Sequence, residues 1–173
     1  EIDKKNELDR IKYLEKSINP YEKNIVVIGG TEFNLGQEVL NFEKIKDIKW
    51  KPIGIHSWFL DRENITLEEI YNLFVEAIND NKHNAFAHIE REIHKIDNCK
   101  YGDNINDEIV ESYEKIVKVS KENNVFLEVN ESSIRNNECG GVDRLKCWLS
   151  LAKENGNIIY LGTDAHYCKQ VGD

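Results

Sequence analysis

The sequence predicts an α/β protein with a mostly parallel sheet, and three observations predict it. Short apolar runs recur along the chain, at Ile25–Ile28, Pro52–Ile55, Ala85–Ala87, Val125–Val129 and Ile158–Leu161. Stretches with apolar residues at helical spacing lie among them. The runs lead into polar residues that could serve as ligands. Continuous apolar runs of this length read as strands buried on both faces, and their alternation with helices implies β-α repeats. Right-handed crossovers close such repeats into a barrel or stack them as an open sheet.

Taken in order, Leu8, Ile11, Leu14 and Ile18 mark a first helix among charges, stopped by Asn19-Pro20. The β-branched run Ile25–Ile28 is the first strand and passes through Gly29-Gly30-Thr31 to Glu32. Residues 37–50 are charged and carry no clear pattern. Pro52–Ile55 is the second strand and ends in His56. A helix follows, with Thr66 and Glu69 spaced as a capping box and a core stripe of Leu67, Ile70, Tyr71, Phe74, Val75 and Ile78. Ala85–Ala87 runs into His88, the third strand end. After a polar loop, Ile109, Val110, Tyr113, Ile116 and Val117 predict another amphipathic helix. Val125–Val129 then closes on Asn130-Glu131-Ser132-Ser133. The last helix carries Val142, Leu145, Trp148, Leu149 and Ala152 on one face, with Gly156 as its stop. Ile158–Leu161 completes the chain with Gly162-Thr163-Asp164-Ala165-His166 at its mouth.

Composition bounds the function. A chain of 173 residues fits one domain with a sizeable core, and its 40% apolar and 32% charged residues are those of a water-soluble protein. No run is long enough to cross a membrane, and no signal peptide opens the chain. A net charge of −9 argues against a nucleic-acid backbone as partner. An anionic substrate then needs a local positive centre, which a bound metal would supply. Cys99, Cys139, Cys147 and Cys168 form no C-x-x-C pair, so they read as reduced thiols of a cytoplasmic protein rather than a zinc ribbon or disulfide framework. The sequence contains no methionine, and it stops just after the last motif. It reads as incomplete at the N-terminus and also at the C-terminus.

The strand ends carry the chemistry. Asp164 and His166 are spaced i and i+2, so an extended backbone would point them to the same side. A carboxylate beside an imidazole suits a zinc-, iron- or manganese-type ion. In a barrel, Glu32, His56, His88, Asn130, Asp164 and His166 would share the rim where active sites sit. His83 precedes its strand and belongs at the opposite rim. His94 reads as an ordinary loop histidine.

Gly29-Gly30-Thr31-Glu32, Ile53-Gly54-Ile55-His56, Ala85-Phe86-Ala87-His88, Leu127-Glu128-Val129-Asn130-Glu131-Ser132-Ser133 and Leu161-Gly162-Thr163-Asp164-Ala165-His166 occur together in an order that resembles the PHP (polymerase and histidinol phosphatase) domain family, closest to its small stand-alone phosphatases. The resemblance spans nearly the whole chain. It implies a single domain over residues 1–173 with a distorted (β/α)7 TIM-like barrel, here lacking its N-terminal strands. It further implies two or three divalent ions (Zn, Mn or Fe), with Glu32, His56, His88, Asp164 and His166 as metal ligands. The implied activity is a phosphomonoesterase that hydrolyses a small phosphate ester, histidinol-phosphate-like or related, with metal-activated hydroxide as nucleophile and no covalent intermediate. Arg91 falls where some members have an arginine and could hold a phosphate oxygen; Arg135 is a second candidate for that task. Two departures stand out. The family's opening His-x-His pair has no counterpart and would precede Glu1, and Ile89 stands where the family commonly has proline. The first departure sustains a rival reading, a non-catalytic metal-binding or scaffolding module. A third reading, a hydrolase of C–N bonds, would call for a lysine at a strand end, and no strand end offers one.

Overall fold

A computed structural model describes residues 9, 12, 13, 16, 28–34, 48–55, 66–79, 83–94 and 104–167. Five strands form one sheet: β1 (Phe33–Asn34), β2 (Pro52–Gly54), β3 (Ala85–Phe86), β4 (Phe126–Asn130) and β5 (Ile159–Gly162). Their spatial order is their chain order, and every pairing is parallel. Helix α1 (Leu67–Asn79) lies between β2 and β3, α2 (Asp107–Glu122) between β3 and β4, and α3 (Glu131–Arg135) and α4 (Gly141–Glu154) between β4 and β5. Residues 89–94 are also helical.

The register explains why one face is core and the other is site. Phe33, Ile53, Phe86, Leu127 and Ile159 pair in one continuous row across the sheet. Alternation puts that row on a single face. It meets Ile70, Phe74 and Ile78 of α1, Tyr113, Ile116 and Val117 of α2, and Trp148 and Ala152 of α4. Two edge-to-face pairs lock the layers, Phe74–Phe86 at 4.6 Å and Tyr113–Trp148 at 5.2 Å. Residues one step out of phase, including Pro52, Glu128, Asn130, Tyr160 and Gly162, line a cavity instead.

Local signals account for the helix ends. The Thr66 hydroxyl accepts from the Glu69 amide at 3.1 Å, and the Glu69 carboxylate accepts from the Thr66 amide at 2.7 Å, closing the capping box. Asn106 caps α2 by accepting from the Ile109 amide at 2.9 Å. Gly156, with φ of 72°, follows α4 as its stop.

Among the described residues the sheet is open, with β1 and β5 as its two ends. Some expectations need correction. Ile28 is 54% exposed rather than buried on both faces, and the β1 ladder begins only at the Gly30–Trp50 bridge; Ile25, Val26 and Val27 lie outside the described residues. The Ser132-Ser133 segment forms a short helix capped by Asn130. In α4, Val142 is exposed and Arg144 is buried in its stead, because Arg144 donates to the Asn104 carbonyl at 3.3 Å and packs on Gly140.

Candidate metal and substrate site

The polar face of the sheet opens into a cavity of about 350 Å³ lined by Glu32, Trp50, His88, Glu128, Tyr160 and Asp164, among others. His88, two residues after the end of β3, lines it and heads the helical turn 89–94. Among the described residues, four non-glycine residues have positive φ: His88 at 38°, Asp164 at 50°, Asn124 and Asn137. Asparagine and aspartate tolerate this region readily, and His88 and Asp164 both line the cavity.

Three carboxylates hold His88. Its Nε2 lies 3.0 Å from Glu32 Oε1, its Nδ1 lies 3.3 Å from Glu92 Oε1, and its amide donates to Glu128 Oε2 at 2.6 Å. Burial works against protonation of the ring, but Glu32 and Glu92 outweigh it and push its pKa up to about 9. Glycine at position 54 makes the meeting possible. A Cβ there would stand 2.8 Å from Glu32 Oε1 and 2.9 Å from His88 Cε1. Glu32 immediately precedes β1 and reaches His88 over that glycine; Ile25–Val27, the run expected to lead into it, lies outside the described residues.

Arg91 spans the rim. It donates to Asp164 Oδ2 at 3.0 Å and to Glu92 Oε1 at 2.9 Å, with Glu138 Oε2 at 3.8 Å. Burial alone would make the guanidinium easier to deprotonate; Glu92 and Asp164 reverse this and hold it firmly charged. Deeper in, burial pushes the Glu90 carboxyl up to about 7, and it raises that of Glu128. Glu90, Glu92 and Glu128 are all buried carboxyl groups within this one neighbourhood.

The structure brings together Glu32, His88, Arg91 and Asp164 of the residues singled out from sequence. His166 is exposed, its Nδ1 2.9 Å from the Asp164 carbonyl, and it does not line the cavity. Arg135 pairs with Glu131 at 3.4 Å on the exposed face of α3, away from the cavity lining. His56 lies outside the described residues. Asn130 lines the cavity, but its side-chain oxygen caps Ser133 at 2.9 Å and its nitrogen donates to Glu128 at 3.3 Å. His94 is not a loop residue: it is helical, 7% exposed and 2.9 Å from the Glu138 carbonyl. His83 packs edge-on against Phe33 at 5.2 Å.

Sequence reading missed Glu128 and Glu92. Glu128 lies two residues before Asn130, so strand alternation alone places both on one face. Glu92 is the i+4 neighbour of His88, a signal usable only once a helix is recognised after His88.

A divalent ion fits this donor set in its chemistry. An imidazole and carboxylates converge over a glycine, a second carboxylate orients the far ring nitrogen as outer partners of metal-bound histidines do, and acidic groups outnumber cations. Among the described residues, no three His, Cys, Asp or Glu side chains already stand close enough to enclose an ion. Asp164 is engaged by Arg91 rather than by His88.

No protein-family profile matches the chain. Over 60 residues it is 37% identical to a Clostridium novyi protein named probable phosphatase, a stretch covering 35% of this chain and 25% of that protein. Over 61 residues it is 36% identical to a Vibrio atlanticus protein of the same name, again 35% of this chain and 25% of the other. The chain thus spans about a quarter of the length of the curated relatives it matches. Its fold is similar to that of a Listeria monocytogenes protein named as a histidinol phosphatase, with a TM-score of 0.64 at 14% identity, covering 96% of this chain and 72% of that one. It is also similar to the histidinol phosphate phosphatase of Lactococcus lactis, solved with zinc, L-histidinol and phosphate. There the TM-score is 0.55 at 18% identity, covering 93% of this chain and 66% of that one. Among the described residues, no helix is long and apolar enough to cross a membrane.

Proposed function

We propose that this chain carries the metal site of a PHP-type phosphomonoesterase acting on a small phosphate ester, with Glu32, His88 and Asp164 among its metal ligands. The observation that carries the reading is the Glu32–His88 contact of 3.0 Å inside a cavity that Asp164 also lines. The likeness to phosphatases in sequence and in fold favours the same chemistry. His56 and His166 complete the proposed ligand set, and two or three ions of the Zn, Mn or Fe type suit it. Such ions, when bound, would lower the pKa of a water toward neutrality and draw charge from the phosphoryl oxygens.

The chain's own residues do the rest. Glu92 holds the His88 ring by Nδ1, so that Nε2 is the nitrogen presented to the cavity. Arg91 stands at the rim with its charge secured by Asp164 and Glu92, and a phosphate oxygen arriving there would share the guanidinium with them. Trp50 and Tyr160, ring centroids 4.9 Å apart, form an aromatic wall that bounds the substrate and limits water. Tyr160 donates to the Phe86 carbonyl at 3.0 Å, which fixes that wall to β3.

Turnover of a generic phosphomonoester with manganese or zinc tests the proposal. Activity should vanish with chelator and fall roughly a hundredfold or more in Asp164→Ala, since a metal site contributes several kcal/mol to the transition state. Undiminished turnover in Asp164→Ala would sink it. A non-catalytic metal-binding module is the second reading, and the Arg91–Asp164 ion pair, which occupies a proposed ligand, favours it. Zinc binding without any phosphatase activity would select that reading.

A further inference from the structure

We propose that Glu128 is the positioning residue of His88, and that Gly162 is glycine because the Glu128 carboxylate occupies the place of its side chain. Three observations converge on this. First, the Glu128 carboxylate takes the His88 amide at 2.6 Å, short even for a charge-assisted bond. Second, that amide belongs to a residue at φ of 38°, a conformation uncommon for any non-glycine residue. Third, a Cβ built on Gly162 would stand 2.7 Å from Glu128 Cδ and would collide with Oε1. Register makes the arrangement a property of the sheet. Asn130 pairs with Gly162 and Glu128 with Tyr160, so Glu128 leans along β4 toward the site and across the bare glycine of β5. Asn130 steadies it by donating to the same Oε2 at 3.3 Å.

The consequence is a relay between two strands. Glu128 fixes the backbone of His88, the backbone aims the imidazole, and the imidazole meets Glu32. Gly162 acts on His88 only through Glu128. The bearing on ion affinity rests on the metal site proposed above; the positioning contact does not.

The test reads the metal-free protein first. In amide NMR, the His88 proton should lie well downfield, as a short bond to a carboxylate requires. Glu128→Gln, which keeps the shape but removes the charge, should move it back toward the ordinary range. Gly162→Ala, which keeps the carboxylate but takes its seat, should do the same. Val129→Ala, on the other face of β4, should lower stability and leave that proton in place. Zinc affinity by calorimetry should then fall about 10- to 100-fold in both site variants, as for loss of an outer partner of a metal-bound histidine. The double variant should lose no more than the worse single one. A wild-type His88 proton in the ordinary range, or one unmoved by Glu128→Gln in a folded protein, overturns the proposal whether or not Gly162→Ala folds. Should the proton move as expected while wild type takes up no zinc, the positioning contact stands and the metal reading alone fails.

Discussion

At the scale of single residues, the chain places charge where geometry can hold it. His88 is the clearest case, a buried residue whose imidazole meets Glu32 and Glu92 at 3.0 and 3.3 Å while its backbone amide donates to Glu128 at 2.6 Å. Glu69 is a simpler one at the surface. Its carboxylate accepts hydrogen bonds from the Thr66 amide and hydroxyl, which lowers its pKa below the ordinary 4.5. A carboxylate with a lowered folded-state pKa stabilises fully above its unfolded value, and the contribution is lost as pH falls through the folded one. Glu69→Ala should therefore melt below wild type at neutral pH, with the difference narrowing as the pH drops beneath 4.5. Thermal midpoints measured across that range check this, and a difference independent of pH would contradict it. Asp164 is the residue whose role depends most on company. Its carboxylate now faces Arg91, yet it borders the same cavity as Glu32 and His88.

At the scale of elements, the apolar period and the caps were legible in the sequence, and the tertiary partners were not. The α1 stripe is an example: Ile70, Phe74 and Ile78 are its buried residues, as their spacing requires. Phe74 is fully buried and meets Phe86 edge-on at 4.6 Å. Phe74→Ala should cost about 3–5 kcal/mol, measured by urea unfolding, because the cavity left between helix and sheet cannot collapse. A loss below 1 kcal/mol would mean that α1 is not seated on the sheet as described. In α4 the burial of Arg144 was not legible, because it rests on contacts distant in sequence. Gly140 heads that helix with φ of 74°, and a Cβ there would collide with Arg144 and lie 2.8 Å from His94. Gly140→Ala should destabilise by about 1–3 kcal/mol in the same assay. An unchanged unfolding midpoint would contradict the packing of His94 and Arg144 around that glycine. Glu32 was legible as a candidate, but its route to the site was not. It reaches the site over Gly54, a contact that only strand register reveals.

At the scale of the whole molecule, one sheet sorts its residues into a helix-covered apolar face and a polar face that carries the candidate site. Alternation along β4 and β5 is sufficient to do this: Leu127 and Ile159 pack with the helices, while Glu128, Tyr160 and Gly162 border the cavity. The parallel α/β class was readable from the alternation of short apolar runs with stretches of helical spacing. Closure into a barrel was not, since it depends on strand number and tilt rather than on any one run. Gathering Glu32, His88 and Asp164 around one cavity is likewise a result of strand order, and it is what turns scattered donors into a candidate metal centre. Anomalous diffraction at the zinc edge from zinc-saturated crystals tests that claim most directly. The account predicts a peak inside the cavity, about 2.0–2.1 Å from His88 Nε2, with a carboxylate oxygen of Glu32 or Asp164 at a similar distance. Saturated crystals with no peak near His88, or with zinc only on exposed side chains, would contradict it.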